Sequence, residues 1–134
     1  MAYATHHNLE LMSFDIKTAF IHAGLSTEIY TKQILGHPLT NSSSVLRLLR
    51  ALYGLWQSIY EFYMLLWKVL VSLGLTHCKV DHGVFFGRWT SRPHANISMP
   101  ADGTDLILII PVHVDDGLAA TNSIPLYTWF FTKL

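Results

Sequence analysis

The sequence predicts an α+β fold, an antiparallel sheet with helices packed on one face. Two observations carry this. The elements run helix, strand, small strands, helix, three strands, helix, so strands follow strands instead of alternating with helices. The chain also has 134 residues, 51% of them hydrophobic and only 13% charged, which suggests one domain with a large buried core.

Each element follows from local pattern. Residues 1 to 7 read as the end of a helix. "LELMSFDI", residues 9 to 16, reads as a strand. Leu9, Leu11, Ser13 and Asp15 share one face of it, and Met12, Phe14 and Ile16 the other. "EIYTKQ" is a short strand, and "LGHPLTNSSS", residues 35 to 44, is a loop of turn formers. "VLRLLRALYG" reads as extended, ending at Gly54. A helix follows from Ser58 to Leu73, stopped by Gly74. Gln57, Ser58, Glu61, Lys68 and Ser72 fall within one arc of about 100° on its wheel, a narrow polar stripe broken only by Leu65. "GVFFGRW" is a strand and "TSRPHANISMPADGT" a long polar loop. "DLILIIPVHV" is a buried strand, Asp115 to Gly117 a tight turn, and "LAA" the start of a returning strand. "SIPLYTWFFTKL" reads as a helix with Ser123 as N-cap and Pro125 in its first turn.

Composition excludes several classes. Lys plus Arg equal Asp plus Glu at nine each, which argues against strong autonomous binding to nucleic acid. One cysteine, Cys78, rules out a disulfide framework within the chain and fits a reducing compartment, cytoplasmic or nuclear. The first ten residues lack a basic start followed by an apolar run, so no secretory leader is expected. "IYEFYMLLWKVLVSLGL", residues 59 to 75, is too short for a membrane span and holds Glu61 and Lys68. His77, Cys78 and His82 match no familiar zinc spacing.

The chemistry lies in the carboxylates. Asp15 closes one strand, and Asp115 and Asp116 lie at the tip of a later hairpin. Taken alone, "DDG" fits a solvated turn. If the strands are neighbours, three carboxylates converge and repel, and divalent cations remove that repulsion. Oxygen-only ligands suit Mg²⁺ or Mn²⁺. Two such ions about 3.5–4 Å apart serve in-line phosphoryl displacement.

Read in order, "FDIKTAFIHAGLSTEIYTKQ", "VLRLLRALYGLWQSIYEFY" and "VHVDDGLAATNS" resemble the reverse transcriptase of copia-type retrotransposons. "LVSLGLTHCKVDHGVFF" is similar to that family's linking segment. The resemblance implies a partial polymerase palm over residues 1–134, with fingers mostly absent and thumb absent. It implies two Mg²⁺ or Mn²⁺ ions on Asp15, Asp115 and Asp116, and attack of a primer 3′-hydroxyl on a deoxynucleotide α-phosphate. Partners in the intact family would be an RNA or DNA template-primer and a dNTP. Phe20 matches the aromatic that excludes a ribose 2′-hydroxyl, and equally well a core residue. Gln57 and Ser58 match the segment that meets template and nucleotide. His113 replaces the commoner tyrosine beside the aspartates.

The pattern also breaks. After "LYGL" the family has Lys-Gln-Ser-Pro-Arg, whereas this chain reads Trp56, Gln57, Ser58, Ile59, Tyr60. Two positive charges that meet phosphates are lost. Pro111 interrupts a strand and marks either a bulge or a lesion. The isolated chain is therefore expected to be inactive and to bind nucleic acid weakly or not at all. A non-catalytic interaction protein and a membrane-associated remnant remain as rival classes.

Overall fold

The structure is a computed structural model that describes residues 2–33, 36 and 45–134. Helix α1 (Ala2–His6) precedes strand β1 (Glu10–Asp15), and then come α2 (Ala19–His22), β2 (Tyr30–Lys32) and β3 (Val45–Arg47). The long helix α3 (Trp56–Ser72) leads to β4 (Thr76–His77), β5 (Val84–Trp89), β6 (Leu106–His113) and β7 (Asp116–Thr121), and α4 (Ile124–Phe131) ends the order. The chain forms two compact units, one of residues 1–17 with 66–134 and one of residues 18–65.

The first unit is built on a five-stranded antiparallel sheet in the order β1-β7-β6-β5-β4. The α+β expectation holds. Alternation dictates the layering. Phe85, Leu106, Leu108, Ile110, Ala119 and Thr121 fall on one face by register and are fully buried. Helix α4 packs on β6 and β7 and buries Leu126 and Phe130. Its start matches the expected cap, since the Ser123 hydroxyl accepts the Leu126 N–H at 3.3 Å, with proline in the first turn. The opposite face is more open. Ala4 and Leu9 bury Ala120 there against Ile107 and Ile109, while Leu11, Phe86 and Leu118 remain exposed.

The second unit pairs β2 with β3 and holds Phe20 under Tyr53 and Phe62, with ring centroids 4.5 and 5.9 Å away. The extended segment expected from Val45 to Gly54 is regular only to Arg47. Beyond it the Ala51 N–H donates to the Ala23 carbonyl, and Gly54 turns the chain at φ 89°. Helix α3 begins two residues earlier than expected, at Trp56. Helix α2 and strand β4 are additions to the expected order, and both are too short to leave a periodicity. Apart from Gly36, the loop expected at residues 35 to 44 lies outside the described residues.

Two expectations in the carboxylate hairpin are corrected. The reversal is Val114–Asp115, not Asp115–Gly117, and β7 already begins at Asp116. Gly117 is a strand residue opposite Phe14. A Cβ on it would lie 2.3 Å from the tip of the Phe14 ring, so the glycine makes room for an aromatic ring, not for a turn. Pro111 sits at no bulge. Two residues separate Ile109 from Val112, and two separate Gly117 from Ala120, so the register is the same on both sides. The Val112 N–H donates to Gly83, which turns the Pro111 nitrogen toward β7. The β6–β7 register lapses only there.

Candidate active site

Strand pairing places the carboxylates. Asp15, at the end of β1, is the register partner of Asp116, the first residue of β7. Asp116 also faces His113, the last residue of β6. Directly opposed residues of an antiparallel pair project to the same face, with Cα atoms about 4.5–5.5 Å apart. His113, Asp116 and Asp15 therefore form a row across three strands, on the open face of the sheet, and all three are exposed. Asp115 occupies the second position of the two-residue loop and is half-buried. Its carbonyl accepts the Ile16 N–H at 2.9 Å, which fastens the loop to the residue after Asp15. The backbones of Asp15, Asp115 and Asp116 are thus brought together.

A cleft of about 440 Å³ opens beside this row, with Ser13, His113 and Asp116 at its polar positions and Pro111 and Leu118 among its apolar ones. The oxygen donors suit a hard divalent cation. As the side chains stand, however, no group of three or more His, Cys, Asp or Glu among the described residues is arranged to hold a metal ion. This applies to the aspartates and equally to His77, Cys78 and His82.

The other candidate residues belong to the second unit. Phe20 is buried in the aromatic packing described above. Gln57 is exposed on the first turn of α3. Ser58 is fully buried, and its hydroxyl donates to the Leu52 carbonyl at 2.6 Å and accepts the Leu52 N–H at 3.1 Å. The expected polar stripe is therefore not a solvated face throughout, since Ser58 is sealed and Glu61 accepts both the N–H and the hydroxyl of Ser26. Sequence reading missed Val114, whose φ of 59° lies in the left-handed region. Valine gives no signal of that conformation, because it is a residue that avoids it.

The family model described as reverse transcriptase (RNA-dependent DNA polymerase) matches residues 1–127. The chain belongs to the reverse transcriptase family. Among curated proteins it is similar to a tobacco (Nicotiana tabacum) protein, the retrovirus-related Pol polyprotein from transposon TNT 1-94. The two are 30% identical over 121 residues, which cover 90% of this chain and 9% of that polyprotein. No solved structure matches the chain significantly. The reverse transcriptase match takes in β1, the β6–β7 hairpin and everything between them, so the row of carboxylates lies wholly inside it. No helix among the described residues is long and apolar enough to cross a membrane.

Proposed function

We propose that the chain is the carboxylate-bearing palm segment of a copia-type RNA-directed DNA polymerase, with Asp15, Asp115 and Asp116 as its ligand carboxylates. The observation that carries this reading is the pairing of Asp15 with Asp116, next to Asp115, in a chain of this family. The substrates would be a template-primer and a deoxynucleotide, with Mg²⁺ or Mn²⁺ on the carboxylates. When bound, such ions neutralise the charge that develops on a transferring phosphoryl group. The chain's own part is placement. Three strands fix Asp15, Asp116 and His113 on one open face, and the Ile16 N–H fixes the loop that carries Asp115.

A thermal melt with and without millimolar Mn²⁺ tests the assignment, on the wild-type chain and on Asp15→Asn with Asp115→Asn. An ion that binds only the native state raises its melting temperature. The expected result is a rise in the wild type that the double variant lacks. Equal shifts in both would make the aspartates turn and surface residues. One observation favours the second reading, a non-catalytic interaction protein. Trp56 is 88% exposed and Tyr60 63% exposed, at positions where the resembled family carries basic residues.

A further inference from the structure

A polar cleft lies at the end of the sheet remote from the carboxylate row. On β1 the Glu10–Thr121 pair stands five residues from the Asp15–Asp116 pair, about 17 Å along the strand. At that end a cleft of about 710 Å³ opens, within the usual size range of small-molecule sites. Its lining belongs wholly to the first unit. The sheet contributes Ile107, which packs against the Ala4, Leu9 and Ala120 cluster. Tyr3 and His7 add two ring faces, with centroids 4.2 Å apart and planes tilted by 38°.

Two polar groups are fixed in the cleft with capacity to spare. Arg88 is the register partner of Ile107, so both stand on the open face. Its Nε donates to the Asp105 carboxylate. Asp105 is held in turn, because the Asn122 amide donates to its carbonyl at 2.8 Å and accepts the Ile107 N–H at 2.9 Å. The two terminal amino groups of Arg88 have no partner among the described residues. Asp102 accepts the Thr104 N–H at 3.0 Å and the Thr104 hydroxyl at 2.7 Å, both through Oδ1. No other described residue donates to Oδ2. The Thr104 bonds hold the carboxyl below its ordinary value, so it is ionised at neutral pH. The cleft therefore offers a forked donor, an acceptor and aromatic faces. Asp105 offsets the charge of Arg88, and Asp102 repels anions, so a phosphate is not what these groups select. They suit a neutral planar ligand with one acceptor edge and one donor edge.

We propose that this cleft binds a guanine base, with Arg88 at its acceptor edge, Asp102 at its donor edge and the Tyr3 and His7 rings against its face. Arginine reads guanine O6 and N7 through two hydrogen bonds. The Watson–Crick edge carries the N1 and N2 donors that a carboxylate accepts. Tyrosine and histidine rings stack on unpaired bases. Adenine places an amino donor where guanine has O6, and so sets a donor against Arg88. The base can come from a free nucleoside or from an unpaired position in RNA, with the same chemistry. The site is separate from the carboxylate row and does not rest on the polymerase reading.

The test is a ligand-observed NMR titration of the full chain in EDTA, which keeps any metal-dependent site silent. The ligands are guanosine, adenosine and a short single-stranded oligoribonucleotide with one guanine. Guanosine should bind saturably, at least about tenfold tighter than adenosine, because a mismatched donor leaves polar groups unpaired. Arg88→Lys keeps the charge but loses the fork, and Asp102→Asn loses the acceptor. Each should weaken guanosine binding by about tenfold or more. Equal affinities for guanosine and the oligomer would assign the base to a free nucleoside. A much tighter oligomer, weakened by the same variants, would assign it to RNA. Absence of saturable binding by guanosine and oligomer alike, equal binding of guanosine and adenosine, or unchanged affinity in both variants would overturn the proposal. Should either variant fail to melt cooperatively, the comparison of guanosine with adenosine on the wild type decides.

Discussion

Replacing Gly117 by alanine should destabilise the fold through one identifiable clash. A Cβ at this position would stand 2.3, 2.6 and 3.0 Å from three atoms of the Phe14 ring. Ordinary carbon contacts lie at about 3.5–4.0 Å, so the ring tip must withdraw by more than about 1 Å. Withdrawal disturbs its packing on Phe131, whose ring centroid is 4.7 Å away. Overpacking of this kind costs about 1–3 kcal/mol. For a chain of this size, that lowers the melting temperature by about 3–15 °C. Thermal melting followed by circular dichroism measures it. Adding Phe14→Leu removes the obstructing ring, so the double variant should be less destabilised than the two single effects predict. Gly117→Ala melting within about 1 °C of wild type, or strict additivity in the double variant, would refute the reasoning.

Three further outcomes are expected. Pro111→Val should return a donor to the β6–β7 ladder and stabilise by about 0.5–1.5 kcal/mol, measured by urea unfolding; destabilisation would mean that the proline nitrogen does not face β7. Ser58→Ala should cost about 1–3 kcal/mol because the Leu52 N–H and carbonyl both lose their partner, whereas Gln57→Ala should stay within about 0.5 kcal/mol in the same assay. The Thr104 N–H and then its hydroxyl hold the Asp102 carboxyl below its ordinary value of 3.8. A depressed carboxyl contributes stability above that value and loses it as the pH falls through the folded-state value. The melting-temperature advantage of wild type over Asp102→Asn should accordingly be constant near neutrality and disappear in acid; an advantage that grows in acid would contradict the assignment.

Long patterned segments were legible in the sequence for a physical reason. Helix α3, strand β6 and the capped helix α4 each repeat a burial signal several times, so tertiary context has little left to decide. The carboxylate hairpin was legible as a hairpin but not in its details. Aspartate and glycine are good turn residues, so "DDG" reads as the turn. Pairing with β1 instead fixes Asp116 opposite Asp15 and pushes the reversal one position earlier, onto a valine that no turn preference would select. Gly117 shows a related ambiguity, because nothing local separates a glycine that bends the chain from one that clears space for a ring on another strand. Ser58 misled in the opposite way. A helical wheel turns a hydroxyl outward, yet one this small can be satisfied by the Leu52 backbone and buried.

The strand order has a consequence for how the chain acquires its carboxylate row. Strands β5, β6 and β7 pair with sequence neighbours, and such contacts form early and fast. Among the described residues strand β1 pairs only with β7, roughly a hundred positions downstream, so closing that loop must overcome a large loss of chain entropy before any contact rewards it. Asp115 and Asp116 therefore share a hairpin well before Asp15 joins them. During synthesis β1 leaves the ribosome well before β7, its partner in the sheet. Its exposed Leu11 makes that interval the time when the chain is most open to pairing with the wrong strand.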